Sequence, residues 1–217
     1  MKNTKLSIFY ILCCFFLFSF FSMISSNRVK KMEVKKIILM GDSITEDWSL
    51  DRPEFFESNK NFINKGVGGQ TTVEMLLRFE NDVIDLKPAA VFILAGINDI
   101  AQNSGYISLN EIALNITKMG LIAKSKNIKV IVSSVLPASE IAWNSKIKNV
   151  ELQIVDLNLK LFEASKTNGF VYLDLYSSIK NDLSILTYDG LHPNKNGYLK
   201  MEPILINAFE SLFIDSN

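Results

Sequence analysis

The chain after residue 35 alternates short, continuous apolar runs with longer stretches in which apolar and polar positions repeat at helical spacing. The apolar runs stand at residues 37–40, 62–63, 89–95, 130–135 and 170–175, and most are closed by a glycine or a proline. Runs that are apolar on both faces are typical of parallel strands covered by helices on either side. The pattern therefore predicts strands of one parallel sheet.

The amphipathic stretches between these runs predict helices. Residues 71–74 (Thr-Thr-Val-Glu) and 108–111 (Ser-Leu-Asn-Glu) are capping boxes, a pattern that opens helices. A third helix is predicted over 147–166, and a last one after Pro193. For the helix that follows the first capping box, the predicted apolar face consists of Val73, Leu76, Leu77, Val83 and Ile84. Alternating strands and helices indicate a single α/β domain, over residues 35–213, with right-handed crossovers.

The first 26 residues differ in character from the rest. Lys2 and Lys5 precede residues 6–24, which carry no charge, and two serines follow. This apolar run is longer than the roughly 7–15 residues of a signal-peptide core and approaches the roughly 20 residues that span a bilayer. We predict that residues 1–26 are either a cleaved signal peptide or a membrane anchor through residues 6–24. Both alternatives predict an exported protein that is periplasmic, extracellular or anchored facing outside the cytoplasm.

Composition narrows the classes of function. Lys plus Arg and Asp plus Glu both number 23, so the chain lacks the basic excess expected of a nucleic-acid-binding protein. Cys13 and Cys14 are the only cysteines, and His192 is the only histidine. A metal site with two histidines is therefore excluded, and no phosphate-binding loop motif is present. We expect no metal and no cofactor.

Two segments carry residues suited to nucleophilic catalysis. Ser43 follows Gly41 and Asp42 directly after the first apolar run, where a turn from strand to helix would expose its hydroxyl. The alternative is that Asp42 or Ser43 only caps the next helix. Asp189 precedes His192 by three residues, close enough to orient the imidazole as in a catalytic triad. The alternative for His192 is a purely structural histidine.

Two further segments offer hydrogen-bond donors. The glycine-rich residues 64–71 fail the dinucleotide-binding fingerprint, because Thr71 stands where a glycine is required. The amide of Gly69 could instead face a developing oxyanion, or the segment could be a tight turn only. Asn98, after the third apolar run, can donate its side-chain amide to an oxyanion, or can belong to an Asx turn.

Taken together, these four segments resemble the SGNH hydrolases, also called the GDSL lipase/acylhydrolase family. The blocks that carry the resemblance are Gly-Asp-Ser-Ile at 41–44, Gly-Val-Gly-Gly-Gln-Thr-Thr at 66–72, Gly-Ile-Asn-Asp at 96–99 and Asp-Gly-Leu-His-Pro at 189–193. One departure is Ile44, where the name-giving motif has leucine. The resemblance implies a flavodoxin-like three-layer α/β/α sandwich with a five-stranded parallel sheet. It also implies an oxyanion hole formed by the Ser43 and Gly69 amides and the Asn98 side chain.

The function expected from these residues is ester hydrolysis through an acyl-enzyme on Ser43, with His192 as the base. The expected substrates are small-molecule or glycan esters with short acyl chains, such as acetyl groups. Trp48 and Trp143 could line the substrate pocket or belong to the core. The alternatives are a lysophospholipase or thioesterase, an acyltransferase that uses the same site, and a non-catalytic binding module, which would be expected to lack a site residue.

Overall fold

A computed structural model describes residues 35–214 of the chain. Its central sheet has five parallel strands in the order β2-β1-β3-β4-β5. That order is the one found in flavodoxin-like doubly wound folds. The strands are β1 (Ile37–Gly41), β2 (Phe62–Gly66), β3 (Ala90–Leu94), β4 (Lys129–Ser133) and β5 (Val171–Leu173). The fold class predicted from the sequence is confirmed.

Helices connect every pair of consecutive strands and follow the last one. Within the described residues they are α1 (Ser43–Asp51), α2 (Pro53–Ser58), α3 (Thr72–Phe79), α4 (Ile97–Ile100), α5 (Leu109–Ser125), α6 (Val150–Asn168), α7 (Tyr176–Ile179), α8 (Leu183–Leu186) and α9 (Lys195–Ile214). Both predicted capping boxes form, at the starts of α3 and α5. Gly169 ends α6 in the left-handed conformation, with φ of 68°.

The predicted apolar face of α3 is wrong at two positions. The side chains of Val73 and Leu77 are 44% and 81% exposed, whereas Met75 and Phe79 are buried. A π-helical turn over Glu80–Ile84 continues α3. Because a π turn holds more residues than an α turn, it shifts the phase of the helix. Val83 and Ile84, which lie within this turn, are buried.

Helices α1 and α9 pack against each other through a buried aromatic cluster. Trp48 on α1 is fully buried, with its ring 5.9 Å from that of Phe55 and 5.3 Å from that of Tyr198. Beside it, Glu202 of α9 accepts hydrogen bonds of 2.8 and 2.9 Å from the guanidinium of Arg52. Trp48 faces α9 and the core, so the prediction that it could line the substrate pocket is wrong.

The predicted signal peptide or anchor, residues 1–26, lies outside the described residues, and both alternatives stay predictions. Across residues 35–214, none of the helices combines the length and the apolar character needed to cross a bilayer.

Candidate active site

Ser43 is the first residue of α1, immediately beyond the carboxyl end of β1. The carboxylate of Asp42 accepts a hydrogen bond of 3.0 Å from the amide of Ile44 and so caps α1. The capping alternative therefore applies to Asp42, and the hydroxyl of Ser43 is left for other contacts. Gly41 permits this turn, because a Cβ at that position would lie 2.0 Å from the hydroxyl oxygen of Thr45.

The structure brings Ser43, His192 and Asp189 together. The Oγ atom of Ser43 lies 3.0 Å from Nε2 of His192, and Nδ1 of His192 lies 2.7 Å from Oδ2 of Asp189. An ionised carboxylate only accepts hydrogen bonds, so Nδ1 carries a proton. In the neutral ring, Nε2 is then the acceptor for the hydroxyl of Ser43. This is the tautomer that a general base requires.

The carboxylate of Asp189 is held in its ionised form. Partial burial opposes ionisation, but hydrogen bonds from the ring and the amide of His192 and from the amide of Leu191 outweigh it and keep the pKa of Asp189 below its usual value. The two amide bonds measure 3.0 Å from Leu191 and 2.8 Å from His192. They fix the carboxylate so that its other oxygen faces the imidazole.

The glycine-rich loop after β2 lies next to Ser43. The amide of Gly68 donates a hydrogen bond of 2.9 Å to the carboxylate of Glu46 on α1. The amide of Gly69 donates to no acceptor within residues 35–214. Gly69 has φ of 76°, a conformation that glycine adopts most readily. The loop thus presents one unoccupied N–H, that of Gly69.

Asn98 lies at the start of α4 and its side chain is buried. Its Nδ2 atom donates a hydrogen bond of 3.1 Å to the carbonyl of Gln70, which leaves the second N–H of the amide available. The side chain bonds across to the glycine-rich loop, not to the backbone of its own turn, so its contacts are not those of an Asx turn.

Three residues outside the predicted site hold these segments in place. Asp99 accepts hydrogen bonds of 3.0 Å from the amide and 2.6 Å from the hydroxyl of Thr72, at the start of α3. Arg78 donates to the carbonyl of Gly41 at the end of β1, at 2.9 Å. Asn103 donates to the carbonyl of Gly69 at 3.0 Å. Isolated polar residues carry no sequence pattern that distinguishes these roles.

Two buried carboxyl groups, those of Asp42 and Asp99, lie next to Ser43 and Asn98 in the sequence. Burial raises the pKa of Asp42 to about 7, against the opposing effects of the Ile44 amide and the charge of His192. Burial also raises the pKa of Asp99, and the hydrogen bonds from Thr72 oppose this shift. Both groups belong to the segments that carry Ser43 and Asn98.

Trp143 lies in the loop between β4 and α6, beside the imidazole. The two ring centroids are 6.1 Å apart, and the ring planes meet at 35°. The indole is 47% exposed, and its N–H donates a hydrogen bond of 2.9 Å to Oδ1 of Asn103. The structure therefore places Trp143 at the rim of the site, in contrast to Trp48.

The described residues offer no cluster of three or more His, Cys, Asp or Glu side chains that could hold a metal ion. The site consists of a hydroxyl, an imidazole and a carboxylate in hydrogen-bonded series on an α/β/α sandwich, with unoccupied N–H donors nearby. This combination is typical of serine hydrolases.

Sequence comparison agrees with this class. The model of the GDSL-like lipase/acylhydrolase family matches residues 39–200, and the chain belongs to this family. Among solved structures, it is 38% identical to a GDSL-like lipase from Bacteroides thetaiotaomicron VPI-5482, with a TM-score of 0.80 over 83% of this chain and 90% of that one. An acetylxylan esterase from Geobacillus stearothermophilus shares the fold, with a TM-score of 0.67 at 17% identity over 80% of this chain and 93% of that one.

Curated relatives match over only part of their length. The chain is 30% identical to the N-acylneuraminate cytidylyltransferase of Escherichia coli O18:K1:H7 over 182 residues, which are 82% of this chain and 41% of that protein. It is 34% identical to an uncharacterized lipoprotein of Bacillus subtilis over 85 residues, 38% of this chain and 35% of that protein. The chain thus spans less than half the length of these relatives.

Proposed function

We propose that this protein hydrolyses carboxylic esters through an acyl-enzyme formed on Ser43. The observation that carries the proposal is the series of hydrogen bonds from Ser43 through His192 to Asp189, at 3.0 and 2.7 Å. His192 takes the hydroxyl proton as Ser43 attacks the ester carbonyl, and then returns that proton to the leaving alcohol. Water attacks the acyl-enzyme with His192 again acting as base, which releases the acid and restores the Ser43 hydroxyl.

Three donors would stabilise the oxyanion of the tetrahedral intermediate. These are the amide of Ser43 at the N-terminus of α1, the amide of Gly69 and the second N–H of Asn98. The choice of Gly69 over Gly68 is supported by the bond from the Gly68 amide to Glu46, which occupies that donor. Removal of one donor of this kind typically lowers kcat by about 10²–10³-fold.

The proposed substrates are short-chain esters, chiefly acetyl esters, of carbohydrates. Trp143 exposes an aromatic face beside His192, where the alcohol part of an ester leaves, and aromatic faces pack well against the apolar faces of sugars. An acetylxylan esterase from Xylanibacter ruminicola is 29% identical to this chain over 82 residues, 38% of this chain and 16% of that protein. A lysophospholipase or thioesterase activity, or acyl transfer to a sugar, would use the same site.

We also propose that the enzyme acts outside the cytoplasm. The uncharged residues 6–24, preceded by Lys2 and Lys5, support export or membrane tethering. The partial match to a protein described as a lipoprotein supports the same location. Acetylated polysaccharides are substrates that an exported enzyme would meet.

The experiment is an assay of the purified protein on p-nitrophenyl acetate, with the variants Ser43→Ala and His192→Ala. We expect each variant to lose at least about 10³-fold in kcat. Ser211→Ala, which removes an exposed hydroxyl on α9, is the matched control and should keep full activity. Substantial turnover in the Ser43→Ala variant would overturn the proposal.

Substrate class is tested separately. Activity on p-nitrophenyl esters of increasing chain length should fall steeply beyond short acyl groups, and acetate should be released from acetylated xylo-oligosaccharides. A preference for long acyl chains would instead favour the lysophospholipase or thioesterase alternative. Transfer of acetyl to an added carbohydrate acceptor, faster than release to water, would favour the acyltransferase.

A further inference from the structure

Asn103 connects three separate parts of the site. It lies in the turn between α4 and α5, and its side chain reaches residues 34 and 40 positions away in the chain. The Nδ2 atom donates to the carbonyl of Gly69 and to Oδ1 of Asn98, both at 3.0 Å. The Oδ1 atom accepts from the indole N–H of Trp143 at 2.9 Å.

The chemistry of these partners fixes which way the Asn103 amide faces. A backbone carbonyl only accepts hydrogen bonds, so the group facing Gly69 must be the NH₂ of Asn103. An indole N–H only donates, so the group facing Trp143 must be the oxygen. Both partners demand the same orientation, and the flipped amide would lose both bonds.

The orientation of the Asn103 amide in turn favours one orientation of the Asn98 amide. Since Asn103 offers a second N–H, Asn98 must present its oxygen to it. The NH₂ of Asn98 then faces the other way, where it donates one hydrogen bond to the carbonyl of Gln70. Its remaining N–H is the one that the oxyanion hole requires.

We propose that Asn103 is a positioning residue that sets the amide orientation of Asn98 and holds the backbone at Gly69, so that the oxyanion hole and Trp143 form one connected unit. The inference rests on the proposed ester hydrolysis. Without Asn103, the bond to the carbonyl of Gln70 alone opposes a flip of the Asn98 amide, which would point its oxygen at the developing negative charge. Asn103 itself need not contact the substrate.

A double-mutant cycle on p-nitrophenyl acetate tests this role. In the otherwise unchanged enzyme, Asn103→Ala should lower kcat by about 10²-fold with KM changed by less than about threefold, since a donor to the transition state is misplaced. In an Asn98→Ala background the same change should cost about tenfold or less, because only the contacts to Gly69 and Trp143 remain to be lost. Equal losses in the two backgrounds would overturn the proposal.

Asn103→Asp separates orientation from packing. The aspartate has the same shape and can still accept from Trp143, but it cannot donate to Asn98 or Gly69. We expect a loss of kcat at least as large as that of Asn103→Ala. Near-normal activity in the aspartate variant would show that only the shape of the side chain matters and would overturn the proposal. Should Asn103→Ala fail to fold, the cycle is run with this variant.

The control is Asn61→Ala. Asn61 also donates its side-chain amide to a backbone carbonyl, that of Lys35, but at the opposite end of the strands from Ser43. The Asn61→Ala variant should be as active as the unchanged enzyme.

The pH dependence of kcat/KM is a second readout. Its midpoint should be the same in the unchanged enzyme and the Asn103 variants, because Asn103 contacts neither His192 nor Asp189. A shifted midpoint would contradict the positioning role. An unchanged enzyme that hydrolyses no ester would instead refute the proposed function.

Discussion

The carboxylate of Glu46 accepts a hydrogen bond of 2.9 Å from the amide of Gly68. Glu46 lies one turn along α1 from Ser43, so this bond ties the glycine-rich loop to the helix that carries the serine. It also occupies the amide next to that of Gly69. The geometry of the proposed oxyanion hole thus depends on a residue that takes no part in the proposed chemistry.

Glu46→Ala should therefore lower kcat on p-nitrophenyl acetate by about tenfold. A hydrogen bond to a charged group contributes about 1.5–3 kcal/mol, and part of that energy holds the loop. Glu46→Gln keeps an acceptor at the same place and should stay within about threefold of the unchanged enzyme. Equal activity in all three proteins would show that the loop holds its conformation without this bond.

Asp42→Asn should change how stability depends on pH. The pKa of Asp42 is about 7 in the folded protein and near 3.8 in the unfolded chain, so the folded state binds the extra proton between these values. This contribution to stability is fully present below about pH 4 and is lost as the pH rises through about 7. The free energy of unfolding of the wild type, relative to that of the variant, should fall by a few kcal/mol over this range, at about 1.4 kcal/mol per pKa unit.

Urea unfolding of both proteins at pH 5 and pH 8 measures this difference. Relative to the wild type, the variant should have a higher free energy of unfolding at pH 8 than at pH 5. A constant difference between the two proteins at both pH values would mean that Asp42 does not titrate in this range.

The buried pair of Arg52 and Glu202 should matter for stability and not for chemistry. Both side chains are about 10% exposed. Because Glu202→Gln removes the buried charged partner of the guanidinium and leaves only the half-exposed Glu54, we expect a loss of up to about 3–5 kcal/mol in urea unfolding, with kcat unchanged at temperatures where the variant is folded. The matched control is Lys200→Met, on the same helix as Glu202, which breaks the exposed pair with Asp182 and should cost less than about 1 kcal/mol. Similar losses for the two variants would refute the distinction.

Trp143 should affect glycan substrates more than small ones. Trp143→Ala removes the aromatic face, whereas Trp143→Phe keeps a ring and loses only the indole N–H. The ratio of kcat/KM on acetylated xylo-oligosaccharide to that on p-nitrophenyl acetate should fall about tenfold in the alanine variant and less than about threefold in the phenylalanine variant. An unchanged ratio in the alanine variant would exclude sugar stacking on Trp143.

The sheet could be predicted from the sequence because each strand is a local property of a few consecutive residues. Continuous apolar runs and capping boxes are local signals, and each marks an element that the structure contains. The apolar face of α3 could not be predicted as well, because the π turn at Glu80–Ile84 changes the phase of the helix without a sequence signature.

The same contrast between local sequence signals and features set by the fold applies to the candidate site. Ser43, Asp189 and His192 lie in short motifs and were identified from the sequence. Asn103 was not, because its partners Gly69 and Trp143 are 34 and 40 residues away, and only the fold brings them together. Trp48 shows the converse, since the sequence offers it as a possible pocket residue, but its buried side chain packs on Tyr198.

The most direct test of the central claim is the intact mass of the purified protein after reaction with a fluorophosphonate, a reagent that reacts with activated serine hydroxyls. We predict one adduct per chain, located on Ser43 by peptide mapping and absent from Ser43→Ala. In His192→Ala, the adduct should form at least about 10²-fold more slowly. An enzyme that hydrolyses esters but carries its adduct on another residue, or carries none, would contradict the proposed role of Ser43.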